Sequence, residues 1–119
     1  MIIRDDLKVS GVQFYSPPEA TQQLGAMGHP KGHRIQPHRH VRRERSSNDF
    51  HEVLIIKSGK LRVDFYDDCN RIVCSEILNA GDVILLISEA HGFEVLEDLQ
   101  MVEVKPGPYL GVEEKVRIT

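Results

Sequence analysis

The chain has 119 residues, of which 40% are hydrophobic, and a formal net charge of −3 with neutral histidines. This length suits one domain, which we expect to span residues 1–119, and the negative charge argues against a nucleic-acid-binding face, which is usually basic. No apolar run approaches the roughly 18 residues of a membrane helix, and the N-terminus lacks the pattern of a secretory signal. We therefore expect a cytoplasmic protein that binds neither nucleic acid nor membrane.

Short runs of alternating apolar and polar residues, separated by turn residues, predict strands and almost no helix. In chain order the predicted strands cover residues 23–27, 33–40, 53–56, 61–66, 71–78, 83–87, 93–96, 99–105 and 114–118. Residues 53–56 and 61–66 flank a Lys-Ser-Gly-Lys turn and are predicted to form a hairpin. Many short strands in one small domain indicate an all-β, antiparallel sandwich or barrel.

Two details of this pattern concern packing. The strand of residues 83–87 has no polar face, so we expect it to be covered on both sides. The two cysteines, Cys69 and Cys74, are predicted to be free thiols, because a disulfide between them would close a very short loop. Cys74 is expected to pack in the core as a small apolar residue.

Five of the six histidines fall within 23 residues, and two of them form the tripeptide His38-Arg39-His40. In a strand, residues two positions apart point to the same face, so these two imidazoles can converge on one metal ion while Arg39 points away. His29 and His33 are expected in loops, where either could contact a ligand near the barrel mouth. Alone, a His-x-His tripeptide is weak evidence for a metal site, because it often arises by chance.

A carboxylate and a third histidine strengthen the prediction. Glu52 begins an apolar run that ends at Gly59, and a buried carboxylate beside apolar residues is costly unless it is paired or bound to a cation. Gly81 precedes the apolar strand 83–87, and His91 follows it. Three histidines and one glutamate would form a mixed nitrogen and oxygen site for a divalent metal.

These residues resemble the two motifs of the cupin superfamily. Gly32, His38, His40, Glu52 and Gly59 match elements of the first motif, Gly-x5-His-x-His-x3,4-Glu-x6-Gly, and Gly81 and His91 match the ends of the second. The resemblance implies a double-stranded β-helix, or jelly roll, with a barrel core at about 25–105, an N-terminal arm at 1–24 and a C-terminal tail at 106–119. It also implies one divalent ion (Zn, Ni, Mn or Fe), with the ligands His38, His40, Glu52 and His91.

The chain departs from the cupin pattern at three places. Eleven residues separate His40 from Glu52, where the family has three or four. Glu44 stands at the shorter spacing and is the alternative carboxylate, but no apolar strand and glycine follow it. In the second motif, Ile87 and Glu89 replace the proline and the inner glycine, and Val95 stands in place of the final asparagine.

The C-terminal segment resembles the end of the cupin domain in mannose-6-phosphate isomerases, with a Glu-Val strand, a Gly-x-Tyr-Leu-Gly turn and an acidic stretch before a final arginine. This resemblance implies a sugar or sugar-phosphate ligand. The candidate substrate-binding residues are Arg39, His51, Glu103 and Tyr109. His51 has the opposite strand parity to Glu52 and should face away from the metal. The arginines at positions 39, 42, 43 and 45 could bind an anionic substrate.

Three functions fit this pattern. A Lewis-acid metal with a nearby base, for which Glu103 and His51 are the candidates, would serve a sugar isomerase or epimerase. Iron held by the same ligands would serve a dioxygenase. The metal could instead stabilise a ligand-binding barrel without catalysis. Exposed edge strands also predict a homodimer.

Overall fold

The computed structural model describes residues 1–40, 51–87, 90–108 and 115–118. The strands are β1 (Gly11–Phe14), β2 (Gln22–His29), β3 (Arg34–His40), β4 (His51–Tyr66), β5 (Ile72–Asn79), β6 (Val83–Ile87), β7 (Ala90–Pro106) and β8 (Lys115–Arg117). Every pairing between them is antiparallel. No helix lies within these ranges, so none of the described segments could cross a membrane as a helix. The all-β, antiparallel prediction is confirmed.

The two long strands, β4 and β7, organise the sheet. They pair with each other along most of their length, and both bend where their register shifts, between Ile56 and Leu61 of β4. On one side of the bend the strand order is β1-β2-β7-β4-β6, and on the other side it is β8-β3-β7-β4-β5. The eight strands thus form one hydrogen-bonded network folded into two five-stranded halves.

The predicted hairpin of residues 53–56 and 61–66 is wrong, because both runs belong to the single strand β4. Residues before the bend pair with β6, and residues after it pair with β5, so the two runs cannot pair with each other. Gly59 adopts φ +91° at the bend, and a Cβ there would overlap the carbonyl of Asp98. A glycine with positive φ therefore bends this strand instead of reversing it. Residues 93–96 and 99–105 likewise form parts of the one strand β7.

The core lies between the two halves and draws on both of them. It is a cluster of buried apolar side chains: Leu54, Ile56, Leu61, Val63, Leu86, Phe93, Val95, Leu99 and Met101. All of them except Leu86 belong to β4 or β7, which alternate inward and outward residues with a period of two. Polar residues on this inward face of β4 and β7 lie toward the end of each strand half that is farther from the bend.

The expectation that residues 83–87 are covered on both sides is wrong. Leu86 is buried, but Val83, Leu85 and Ile87 are 62%, 52% and 44% exposed. The reason is that β6 is an edge strand, paired only with β4, and its outer face lies on the surface of the described chain. Cys69 and Cys74 are free, as predicted, but Cys74 is exposed on the edge strand β5 and does not pack in the core.

Candidate metal centre

A one-residue shift in register turns the histidines of β3 toward the interior. Ile35 pairs with Phe93, whereas three residues later His38 pairs with His91, so one extra residue of β3 lies between the two pairs. Without this bulge Pro37 would lie opposite His91, and His38 would point outward. Proline is tolerated at a bulge because no ladder hydrogen bond is required there. Gly92 leaves room for it, since a Cβ at Gly92 would lie 2.9 Å from Pro37 Cγ.

The three imidazoles of His38, His40 and His91 converge in the interior. Each histidine offers one ring nitrogen, and these three nitrogens all lie within 4.8 Å of one another. The ring of His38 is nearly perpendicular to those of His40 and His91, with centroids 5.1 and 4.9 Å away. Rings inclined in this way can direct their nitrogens at one shared point, as metal coordination requires.

The backbone orients the first of these rings. Nδ1 of His38 lies 2.8 Å from the carbonyl oxygen of Gln36. A carbonyl only accepts hydrogen bonds, so Nδ1 carries the proton and Nε2 presents a lone pair. A metal-binding histidine is commonly oriented by a contact of this kind.

Glu52 approaches the imidazoles from the other half of the sheet. It is 5% exposed, and its Oε2 lies 3.2 Å from Nε2 of His40 and 3.7 Å from Nε2 of His91. This oxygen is buried without a hydrogen-bond partner among the described residues. A buried carboxylate oxygen that accepts no hydrogen bond is costly, and a cation bound by it and the imidazoles would remove that cost. The residues present therefore fit a divalent metal with three nitrogen ligands and one oxygen ligand.

Two further charged residues lie on the inward face near this cluster. Glu103 is 2% exposed and Lys105 is 3% exposed, although both are charged side chains. Glu103 is among the residues predicted from the sequence, whereas Lys105 is not. The missed signal is the order Leu99, Met101, Glu103, Lys105 at alternate positions of β7, which places the two charges on the same face as two core residues.

The other predicted site residues lie elsewhere. Arg39 points away from the imidazoles, as expected, and its guanidinium donates hydrogen bonds to Asp67 O and Asn70 Oδ1 in the turn between β4 and β5. His51 is exposed beside Glu52 on the opposite face of β4. Tyr109, Glu44 and the arginines at positions 42, 43 and 45 lie outside the described residues. Substrate binding by Arg39, His51, Glu103 and Tyr109 stays a prediction.

His29 and His33 lie near the bend, at the other end of the two halves. Their rings stack 4.0 Å apart at an angle of 3°. His29 pairs with Leu99, and Val95 N donates a hydrogen bond to the carbonyl of His33. Five residues of extended chain, about 17 Å, separate His33 from His38. These two residues therefore lie away from the candidate metal centre, and contact of either with a ligand stays a prediction.

Comparison with solved structures identifies the fold. Oxalate decarboxylase from Bacillus subtilis matches with a TM-score of 0.70 and 15% identity over 93% of this chain and 29% of that chain. Oxalate oxidase in complex with the substrate analogue glycolate matches with a TM-score of 0.61 and 17% identity, over 82% of this chain and 46% of that chain. The coconut allergen cocosin matches with a TM-score of 0.59 and 18% identity, over 73% of this chain and 22% of that chain.

These likenesses confirm the predicted jelly-roll fold, and at such low identity they establish the fold alone. The chain spans less than half the length of each of these proteins. No protein-family model matches the chain, and no curated protein matches its sequence. A shared fold does not determine the chemistry, which depends on the residues of this chain's own site.

Proposed function

From the cupin fold, which the chain shares with these structures, we propose that it binds one divalent metal ion through His38, His40, His91 and Glu52 and holds a small polar ligand beside it. The observation that carries the proposal is the convergence of the three imidazoles, with the buried Oε2 of Glu52 beside those of His40 and His91. Borderline ions such as zinc, nickel, manganese and iron suit this donor set. The Bacillus subtilis decarboxylase, which shares the fold, has Mn(II) centres.

The bound metal would supply Lewis acidity, which polarises an oxygen atom of the ligand. The protein supplies the position of each donor: the bulge in β3 turns two histidines inward, and the Gln36 carbonyl orients His38. Two aromatic residues lie beside His91, since Phe65 pairs with it and the ring of Phe93 lies 5.3 Å from its ring. Burial of the donors beside apolar groups would strengthen their electrostatic interactions with a bound ion.

The ligand in this proposal is carbohydrate-like or anionic, and the reaction is isomerisation or epimerisation. The buried carboxylate of Glu103 supports it, because moving a proton between carbon atoms requires a base on the same side of the barrel as the metal. The sequence resemblance of the C-terminal segment to mannose-6-phosphate isomerases points to the same substrate class. The part of that segment from position 109 to 114 lies outside the described residues.

Metal analysis tests the proposal directly. The purified protein is loaded with zinc or manganese, dialysed and measured for metal content. We expect about one ion per wild-type chain and none in His38→Ala. His33→Ala is the matched control and should retain the ion, because His33 lies at the bend. A wild-type protein that holds no ion, or a His38→Ala protein that holds it as well as wild type, would overturn the proposal.

We further propose that the protein is a cytoplasmic homodimer. Two exposed free cysteines are compatible with a reducing compartment. Val83, Leu85 and Ile87 lie on the outer face of the edge strand β6, and exposed Ile55 lies beside Val83 on β4. A second copy packed on this apolar face would remove it from water. Sedimentation velocity should show a dimer for wild type and a monomer for Leu85→Lys; a wild-type monomer at high concentration would contradict the dimer.

A further inference from the structure

Arg39 separates the two candidate ligands His38 and His40 along β3, and its side chain points away from them to the turn between β4 and β5. Nη2 of its guanidinium donates hydrogen bonds to the carbonyl oxygen of Asp67 and, over 2.8 Å, to Oδ1 of Asn70. The side chain is 29% exposed. A planar guanidinium held by two acceptors of another element links the strand that carries both histidines to that element.

The turn lies on the far side of β7 from β3. His38 pairs with His91 of β7. His91 pairs in turn with Phe65 of β4, which stands two residues before Asp67. At this level β3 and β4 are therefore two strand spacings, about 10 Å, apart. A long side chain is needed to span this distance across β7, and Arg39 does so on the outer face of the sheet.

The turn is a fixed anchor, because hydrogen bonds within it hold its conformation. Oδ1 of Asp67 accepts hydrogen bonds from the backbone N–H groups of Cys69 and Arg71, at 2.9 and 3.0 Å. The N–H of Asn70 donates to the carbonyl oxygen of Asp67, and Asn70 adopts φ +61°, a conformation that asparagine tolerates. An aspartate that binds the backbone ahead of it in this way stabilises a tight turn.

The link from Arg39 acts at the end of β3. Among the described residues, the register of β3 with β7 ends at the pair of His38 with His91. Arg39 and His40 continue beyond that pair, and there β3 pairs with β8, an edge strand of three residues. The guanidinium thus joins β3 to the β4 side of the sheet at the level where its backbone pairing with β7 ends.

We propose, on the basis of the metal site proposed above, that Arg39 is a positioning residue, which holds His38 and His40 in place by tying β3 to the turn between β4 and β5. Both histidines lie on β3, so a movement of this strand would displace two donors at once, whereas His91 and Glu52 lie on β7 and β4. Arg39 acts on the ion through β3, without touching it. Groups that orient metal ligands typically change metal affinity about tenfold or more when they are removed.

Zinc affinity tests this role, measured without any other ligand by competition with a chromophoric chelator. Arg39→Met removes both hydrogen bonds and should weaken zinc binding about tenfold. The direction is informative, because the loss of a positive charge near a bound cation would by itself strengthen zinc binding. Equal zinc affinity of wild type and Arg39→Met, or tighter binding by the variant, would overturn the proposal.

Three further variants identify the link as the cause. Arg71→Met is the matched control, because it removes the same charge from the turn but its guanidinium bonds to Asp67 of that turn; it should change zinc affinity less than twofold. Arg39→Lys keeps a cation that can reach one acceptor and should bind zinc more tightly than Arg39→Met. Asn70→Gly removes the other partner's oxygen while keeping positive φ accessible, and it should weaken zinc binding severalfold in wild type and not further in Arg39→Met. Equal losses in Arg71→Met and Arg39→Met, or additive losses in the double variant, would overturn the proposal.

The zinc content of wild type separates this inference from the proposed function. If wild type holds no zinc, the metal site itself fails and the role of Arg39 fails with it. If wild type and Arg39→Met hold zinc with equal affinity, the metal site stands and the positioning role fails. Urea unfolding of the metal-free proteins is measured alongside, because a purely structural link would lower the free energy of unfolding of Arg39→Met and leave its zinc affinity as in wild type.

Discussion

The molecule contains two pairs of close histidines, one at each end of its barrel, and their geometries differ. The rings of His38 and His40 lie nearly perpendicular, and they meet His91 and Glu52 from other strands. The rings of His29 and His33 stack in parallel at 4.0 Å. Parallel stacked rings direct their nitrogens along separate planes and cannot converge on one ion as inclined rings can. Histidine spacing along the chain therefore does not decide which pair is a metal centre.

The physical cause lies in the neighbouring strands. At one end, the bulge in β3 places His38 opposite His91, and β4 contributes Glu52 from the other half of the sheet. At the other end, the chain leaves β2 and enters β3 close to the bend, and His29 is buried against His33. Among the residues that the structure describes, His38, His40 and His91 are the one group of three ligand residues that converges.

The largest expected effect is on thermal stability in the presence of metal. An ion that binds only the folded chain adds about 4 kcal/mol at a free concentration of about a thousand times its dissociation constant. Scanning calorimetry should show the melting temperature of wild type rising by about 10 °C or more with saturating zinc. The rise should be absent in His38→Ala and preserved in His33→Ala. A similar rise in both variants would remove the distinction between the two pairs.

The two buried carboxylates, Glu52 and Glu103, are also expected to differ in their effect on zinc affinity. Glu52→Gln should weaken zinc binding about tenfold or more, since it replaces a charged ligand with a neutral one. Glu103→Gln is the matched control on a neighbouring strand and should change zinc affinity less than threefold. Competition with a chromophoric chelator measures both affinities. Equal losses in the two variants would mean that Glu103 belongs to the metal site as well.

A substitution beside the bulge in β3 is expected to have a smaller, indirect effect on zinc affinity. The methyl group in Gly92→Ala would crowd Pro37 and force β3 to shift beside His38. We expect a severalfold loss of zinc affinity. Gly59→Ala provides the contrast, because its strain at φ +91° lies at the bend; it should lower the free energy of unfolding by about 2 kcal/mol and leave zinc affinity unchanged. Unchanged affinity in Gly92→Ala would mean that the bulge does not position His38.

The smallest expected effect is on the pH dependence of stability, through the stacked pair His29 and His33. Burial and, to a lesser degree, the nearby His33 lower the pKa of His29 below its usual value. Between that lowered pKa and about 6.5, the unfolded chain binds a proton that the folded chain does not, so stability falls as the pH falls through this window. Urea unfolding should show a smaller loss between pH 7 and pH 5 in His29→Gln than in wild type. An identical loss in both would show that His29 does not contribute to it.

The sequence by itself determined the class of fold and the identity of the candidate ligands. Period-two alternation in residues 61–66, and the strands predicted at 71–78 and 83–87, correspond closely to parts of β4, β5 and β6. The alternation follows from local chemistry, because a strand with one buried face must place apolar residues at every second position. The residue types of His38, His40, Glu52 and His91 were sufficient to predict a metal site, which the metal analysis will test.

Only the tertiary structure decided which way these residues face and which strands they share. Strict alternation from Ile35 would turn His38 outward, and one extra residue before it reverses that orientation. Gly59 was predicted to close a hairpin, yet the pairing partners of β4 make it a bend. Lys105 lies near the end of β7, whose inward face is decided by pairing with β2 and β4. Register and pairing depend on contacts between residues distant in the chain, and local sequence cannot specify them.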